Sequence, residues 1–382
     1  MTGGLTDDQK TFADSLDRLL TDALPFTRRQ AAVATRVGFD DDVWQQLADL
    51  GCMAAAFPEE HGGLGGGPED LMVIGEKFGR HLVTGPFLGS VVLGGHAVLF
   101  SSSDAWKADV LPGVAGGTTK LALAWTERQA RHDLHDVATS VRQVNGGWVL
   151  SGRKDVVPGG AQADVIVVSA RVSGDRRDRD GIVLVAVPAD APGVVRLDGR
   201  AHDGNRVSTI LLDGVEVDDT QFLTAPDQGL AVLERAVDHA IAFVCADAAG
   251  SMWQIFETTL EYLKTRRQFD RTLASFQALQ HRMVDLYIDC ELAWSMVLDA
   301  TEALATPRRR HAVSSAKVAV GESARRVAEE GVQLHGGIGM TMDVPVGHHL
   351  KRAVVMNASF GDADHHLDLL ATSPVTRESS HV

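Results

Sequence analysis

The sequence has 382 residues, of which 45% are hydrophobic and 23% charged, enough for a globular chain with a large core. Lysine and arginine number 36 against 51 acidic residues, so the formal net charge is −15. This charge repels phosphates, and we therefore expect neither nucleic acid nor a membrane as partner. Cys52, Cys245 and Cys290 match no metal-ligand spacing, the N-terminus lacks signal-peptide features, and no apolar run reaches ~20 residues. These features predict a cytoplasmic protein.

Residues 1–118 are predicted to form an N-terminal all-helical domain. Apolar side chains recur at helical spacing over 12–20 and 44–50, and another helix is predicted over 69–80. Between these helices lies a glycine-rich loop at 58–68, which is too rich in glycine for regular structure.

Residues 119–225 are predicted to form a middle β domain. Short β-branched or apolar runs separated by turn signals favour strands, and the absence of helical patterns between them favours an antiparallel barrel or sandwich. The runs lie at 121–125, 148–150, 165–168, 182–187 and 208–212.

Residues 226–372 are predicted to form a C-terminal helical bundle. Apolar residues step by three and four over 230–263, 279–297 and 315–334, and long helices with such stripes pack antiparallel. The polar segment 373–382 is predicted to be a disordered tail. The fold class is therefore α+β in several parts, with a β domain between two helical ones.

Two segments could contact an anionic cofactor. Arg266, Gln268 and Phe269 follow a long helix, where a guanidinium can clamp a pyrophosphate. Gln333, Gly336 and Gly337 end another helix, where glycine permits close approach of backbone to a ligand. Each segment alone is more simply explained as an ordinary helix C-terminus.

A group of acidic and histidine residues near the C-terminus resembles a metal site. The spacing of paired helical ligands is missing, however, except between Asp362 and His366, so we expect no metal. The group comprises His348, His349, Asp362, Asp364, His365 and His366.

Five segments, taken in this order, resemble the acyl-CoA dehydrogenase family over essentially the whole chain. This resemblance implies an N-terminal helical domain, a middle β domain, a C-terminal four-helix bundle, tetramers, and FAD at a subunit interface. The segments are Pro-Glu-Glu-His-Gly-Gly-Leu-Gly at 58–65, Ala-Trp-Thr-Glu at 124–127, Gly-Trp-Val-Leu-Ser-Gly-Arg-Lys at 147–154, 262–269 with Phe276-Gln277, and 333–339.

The resemblance also implies roles for individual residues. Arg266 matches the pyrophosphate-binding arginine of the family, Gln268 and Phe269 its Gln-Phe pair, and Thr126 a threonine that bonds to the flavin edge. Gln333, Gly336 and Gly337 match the second FAD-binding segment. In the family, one subunit holds the flavin ring and its neighbour holds the adenosine diphosphate.

The flavin-side positions depart from the family pattern. The family's Trp-Ile-Thr segment falls on 156–158, where Pro158 has neither a hydroxyl nor an N–H to offer. The catalytic glutamate falls on Phe360, and its alternative location in some members falls on Phe243, beside Val244 at the position of a substrate-side arginine. The conceivable substitutes for this base are Asp238, Asp247, Asp343 and Asp362.

These departures favour a subunit of an FAD-dependent acyl-CoA dehydrogenase that has no catalytic residue of its own. It would complete the FAD site of a homologous catalytic chain in a heterotetramer, with the acyl-CoA in the partner's pocket and electron-transfer flavoprotein as acceptor. Two alternatives stay open: an active homotetramer with a relocated aspartate base, and a diverged flavin oxidase or monooxygenase. Steroid or other ring-bearing acyl groups are the expected substrates.

Overall fold

The computed structural model describes residues 4–372, and the predicted tail at 373–382 lies outside them. The N-terminal part is helical. A capping box between Thr6 and Gln9 begins the first helix, and the Asp40 carboxylate accepts two backbone N–H groups at the start of the third. The α-helices are α1 (Asp7–Ala23), α2 (Phe26–Ala34), α3 (Asp41–Asp49), α4 (Pro68–His81), α5 (His96–Leu99) and α6 (Asp104–Ala115), with a π-helical segment at Leu88–Gly95 before α5.

The middle part is a seven-stranded sheet, and its core is formed by small and β-branched side chains. Its pairings are antiparallel except that Leu121–Ala124 and Ser140–Val144 both pair in parallel with Val165–Arg171, a detail that the sequence pattern does not signal. The strands are β1 (Leu121–Ala124), β2 (Ser140–Val144), β3 (Gly147–Pro158), β4 (Val165–Arg171), β5 (Ile182–Pro188), β6 (Val194–Arg200) and β7 (Arg206–Val217). They follow the order β1-β4-β2-β3-β7-β6, and β5 pairs with β4.

The C-terminal part is a bundle of long helices with a small hairpin. The hairpin consists of β8 and β9 and connects the first two helices. The elements are α7 (Gly229–Thr265), β8 (Arg267–Gln268), β9 (Arg271–Thr272), α8 (Gln277–Ala303), α9 (Arg309–His335), α10 (Val346–Ala358) and α11 (Ala363–Thr372). The predicted succession of helical, β and helical domains is confirmed.

Helices α4 and α7 pack with their backbones in direct contact. A Cβ atom built on Gly79 would lie 1.8 Å from the carbonyl oxygen of Asp247, and one on Gly250 would lie 1.9 Å from that of Glu76. Only glycine allows this approach, because any larger residue would push the two backbones apart. The N-terminal and C-terminal domains are therefore closely joined here.

A buried charge network links all three parts of the chain. Arg352 on α10 donates from Nε to Oδ1 of Asp247 on α7 at 3.0 Å, and from Nη1 to Oδ2 of Asp203 at 2.7 Å. Arg29 on α2 donates to the Asp203 carbonyl at 2.7 Å. Burial lowers the pKa of Arg352, but the two carboxylates outweigh it and raise that pKa above its ordinary value. The network fixes the relative positions of α2, the β6–β7 loop, α7 and α10.

Candidate functional site

The first predicted segment lies on an exposed hairpin at the end of α7. Arg266 closes the helix by donating its backbone N–H to the Tyr262 carbonyl at 2.8 Å. Within residues 4–372, its guanidinium makes no hydrogen bond or ion pair. Phe269 and Asp270 form the hairpin tip in the left-handed region, at φ 53° and 62°. The Phe269 side chain is 84% exposed, although such a ring normally seeks burial. The hairpin thus carries an unpaired guanidinium and a solvent-exposed aromatic ring.

The second predicted segment lies at the same end of the bundle. Tyr262 stacks on His335 with ring centroids 4.6 Å apart, and its hydroxyl donates to the His335 carbonyl at 3.3 Å. This contact joins the end of α7 to the end of α9, where Gly336 and Gly337 follow. A Cβ atom on either glycine would meet nothing within 4 Å. The exposed backbone here is open to an approaching ligand.

Together, the two segments carry groups of the kind that bind a phosphate-containing ligand. The structure brings Arg266, Gln268, Phe269, Gln333, Gly336 and Gly337 to one exposed end of the bundle. A free guanidinium suits a pyrophosphate, and an open glycine backbone suits close contact with it. Thr126, the seventh predicted residue, instead lines a separate cavity, to which none of the other six contributes.

This cavity has a volume of about 450 Å³ and is enclosed by all three domains. Part of its lining consists of aromatic rings from the N-terminal part of the chain and from α7. Trp125 and Phe360 also line it, and their rings stack in parallel at 5.7 Å and 4°. The residues that the resemblance places around the flavin, Thr126, Val156 and Pro158, line the same space.

The two positions at which the resemblance places the catalytic base carry phenylalanine rings that line this cavity. Phe243 stacks on Phe87 at 5.4 Å and meets Phe78 edge-on, while Phe360 stacks on Trp125. A phenyl ring cannot accept a proton. In this chain's own cavity, Pro158 therefore offers neither an N–H nor a hydroxyl group to a flavin, and Phe360 offers no proton acceptor to a thioester substrate.

The carboxylates among the lining residues are all paired with arginines. Asp40 accepts from Arg28 at 2.7 Å, Asp203 from Arg352 at 2.7 Å, and Asp238 from Arg309 at 2.8 Å. Burial raises the pKa of Asp238 above its ordinary value even though Arg309 and Arg310 oppose that shift. Each of these carboxylates is held by a cation, and none is a free proton acceptor.

The other aspartates considered as substitute bases do not line the cavity. Asp247 is fully buried and holds Arg352 with both oxygens. Asp343 is exposed, and Asp362 is also exposed and caps α11 by accepting the N–H of His365 at 3.0 Å. Of the four candidate aspartates, Asp238 alone lines the cavity, and its carboxylate is held by Arg309.

Backbone strain is concentrated at the same cavity. Arg131, Val156 and Phe360 all line it, and all three lie in the left-handed region, at φ 52°, 52° and 61°. This conformation is unfavourable for bulky or β-branched side chains and is found mainly where surrounding structure or function demands it. This strain makes the cavity a candidate functional site.

Two histidines approach each other beside the Trp125–Phe360 stack. The rings of His132 and His365 lie 5.2 Å apart, and His365 is equally close to His366. No group of three or more histidine, cysteine or acidic residues within the described chain could hold a metal ion. Sequence reasoning missed His132, Arg131 and Arg310 because they are far in sequence from His365, and no local motif connects them.

Comparison with known proteins gives the family. Models of the acyl-CoA dehydrogenase N-terminal, middle and C-terminal domains match residues 6–118, 122–215 and 227–373. Acyl-CoA dehydrogenase IpdE2 of Mycobacterium tuberculosis (strain ATCC 25618 / H37Rv) is 30% identical over 85% of this chain and 84% of its own. The chain therefore belongs to the acyl-CoA dehydrogenase family, and the family indicates FAD as the cofactor.

Two solved structures resemble the chain over nearly its full length. A variant of the Tcur3481-Tcur3483 steroid ACAD has a TM-score of 0.85 and 28% identity, covering 96% of this chain and 97% of that one. The ChsE4-ChsE5 complex from Mycobacterium tuberculosis has a TM-score of 0.88 and 25% identity, covering 98% and 100%. Both names join two polypeptides in one assembly. Separately, no helix within residues 4–372 is long and apolar enough to cross a membrane.

Proposed function

We propose that this chain is the non-catalytic subunit of a heteromeric, FAD-dependent acyl-CoA dehydrogenase. It would donate Arg266 and the Gln333–Gly337 segment to the FAD of a homologous catalytic chain, in a tetramer of two chains of each kind. When bound, FAD supplies the hydride acceptor for α,β-desaturation of an acyl-CoA thioester. The partner's carboxylate would remove the α-proton.

One observation carries this proposal. The groups that suit adenosine diphosphate are free and exposed at the end of the bundle, while both base positions in the chain's own cavity are phenylalanine rings. A catalytic carboxylate contributes on the order of 10²- to 10⁴-fold in rate, so its loss would remove most dehydrogenation. The departures from the family pattern lie at the flavin-side positions, while the adenosine-side positions are retained. This distribution is what we expect of a chain that contributes only adenosine-side contacts to the FAD of another chain.

Exposed apolar surface supports assembly with such a partner. One face of α8 carries Val284, Tyr287, Ile288 and Leu292, which recur at helical spacing and are all exposed. An apolar stripe of this kind is typical of a protein–protein interface. Phe269 at the hairpin tip adds to the surface that assembly would cover.

The substrate of the assembled enzyme would be a ring-bearing acyl-CoA, with electron-transfer flavoprotein as electron acceptor. One structural relative at 28% identity is named a steroid ACAD, which supports the substrate class. We also propose a cytoplasmic location, since the three cysteines are unpaired and buried, as suits a reducing compartment.

The test is to express this chain alone and together with a homologous catalytic chain. We expect no acyl-CoA oxidation by the chain alone, and two flavins per tetramer in the complex. Arg266→Ala should weaken FAD binding to the complex by about 2–5 kcal/mol, because it removes a charged partner of the pyrophosphate. Arg325→Ala, which changes an exposed arginine paired with Glu329, is the matched control.

Two results would reject the proposal. The first is turnover by the purified single chain as a homotetramer with four flavins. The second is full flavin occupancy in the Arg266→Ala complex.

A further inference from the structure

The end of the cavity beside Phe360 carries basic side chains that lack anionic partners. Arg131 makes no hydrogen bond or ion pair within residues 4–372, and neither do the ring nitrogens of His132 and His365. Arg310 also lines the cavity but does have an anionic partner, Glu234, at 3.4 Å. The half-buried imidazoles can both donate hydrogen bonds into the cavity. This basic end therefore has unused hydrogen-bond donors.

Neighbouring acidic groups are already engaged elsewhere. The carboxylates among the lining residues are those paired with Arg28, Arg309 and Arg352. Outside the lining, Asp133 pairs with Arg177 at 2.9 Å, and Asp362 caps α11. The unused donors thus lack a protein acceptor, and an anionic ligand would supply one.

A second part of the cavity lining is apolar and aromatic. Phe39, Trp44, Phe78, Phe87 and Phe243 line it, and all five side chains are buried in the protein. A cavity of about 450 Å³ lies within the range of small-molecule sites, which combine apolar walls with a few polar groups. The shape and chemistry suit a bulky apolar body.

We propose that this cavity binds a bulky apolar molecule bearing one free carboxylate, without a flavin. The carboxylate lies at Arg131, His132 and His365, and the apolar body fills the aromatic end. The exposed guanidinium of Arg131 and the half-buried imidazoles supply charge-assisted hydrogen bonds, which are stronger than those between neutral groups. This binding role is separate from the proposed contribution of the chain to FAD binding in a partner subunit, and it does not depend on that contribution.

Calorimetric titration of the full-length, flavin-free chain tests the proposal. The probes are adamantane-1-carboxylate and its neutral analogue adamantane-1-carboxamide. We expect the carboxylate to bind at least about tenfold more tightly, since hydrogen bonds to a charged group are stronger than neutral ones. The variant Arg131→Gln/His365→Asn should remove this preference while binding of the carboxamide stays unchanged.

Controls separate the two ends of the cavity. The variant Arg325→Gln/His311→Asn changes two exposed residues of the same types and should retain the preference. Phe243→Trp should weaken both probes by a similar factor, because it fills the apolar end.

The proposal fails if both probes bind equally, if Arg131→Gln/His365→Asn keeps the preference, or if FAD displaces the carboxylate. The last outcome would identify the cavity as a flavin site. Because these titrations involve no turnover and no partner chain, their failure is distinguishable from failure of the proposed dehydrogenase role.

Discussion

The buried network around Arg352 gives the sharpest test of how the three domains are held together. In the variant Arg352→Met, the carboxylates of Asp203 and Asp247 would lose their common partner while their side chains stay 1% and 0% exposed. Breaking a buried ion pair by removing one member typically costs about 3–5 kcal/mol, because an uncompensated charge remains in a poorly solvated site. We therefore expect the free energy of unfolding to fall by at least this amount.

The measurement is urea unfolding followed by circular dichroism, with the wild-type chain and Arg325→Met in parallel. The control breaks an exposed i,i+4 pair with Glu329, which is worth about 0.5 kcal/mol or less. Adding Asp247→Leu to Arg352→Met should recover part of the loss, since one of the two stranded charges disappears. If Arg352→Met destabilises no more than the control, the network does not join the domains as argued.

Three further predictions concern pH, assembly and packing. Burial lowers the pKa of His96 to about 4 and that of His239 to about 2, so the folded state favours neutral rings. The unfolded chain binds protons at these histidines below pH about 6.5, and the free energy of unfolding should therefore fall as the pH drops from about 6.5 towards 4. Urea midpoints across this range test this, and His239→Leu should reduce the slope, whereas an unchanged slope would contradict it. Phe269→Asn, which tolerates the left-handed backbone, should weaken assembly with the catalytic chain but leave the circular dichroism spectrum unaltered, as size-exclusion chromatography would show. Gly79→Ala should lower the free energy of unfolding in urea by at least about 1–3 kcal/mol, because the added Cβ atom clashes with α7. Gly199→Ala is the control, since its Cβ atom would meet nothing closer than 3.7 Å, and it should have a small effect. Equal losses of stability in the two variants would refute the close packing.

The sequence predicts those parts of the fold whose burial pattern is local. Helix α7 was predictable because its apolar residues step by three and four from Leu230 to Leu263. Strand β6 was not, since it lies exposed at the sheet edge and carries no alternating pattern. The π-helical segment at Leu88–Gly95 was also missed, because its glycines indicate a loop and only tertiary packing buries it.

The candidate site residues likewise include some that the local sequence predicts and others that only the tertiary structure brings together. Arg266, Gln268 and Phe269 lie within four consecutive residues and match a family motif, so their proximity needed no tertiary information. The pairing of His132 with His365 depends on how the β domain meets the C-terminal bundle, and no spacing along the chain encodes it. For the same reason, the pairing of Asp247 with Arg352 was invisible in the sequence, where Asp247 was a plausible base.

The backbone contact between α4 and α7 has a consequence for ligand selection. These helices carry Phe78 and Phe243, which form part of the aromatic wall of the cavity. Helices that touch at Gly79 and Gly250 cannot move closer, and moving apart would open voids in a close-packed interior. The width of the cavity on this side is therefore set by the size of the side chains. Exchanging a single aromatic ring should change which ligands fit, because the backbones of α4 and α7 cannot move to compensate.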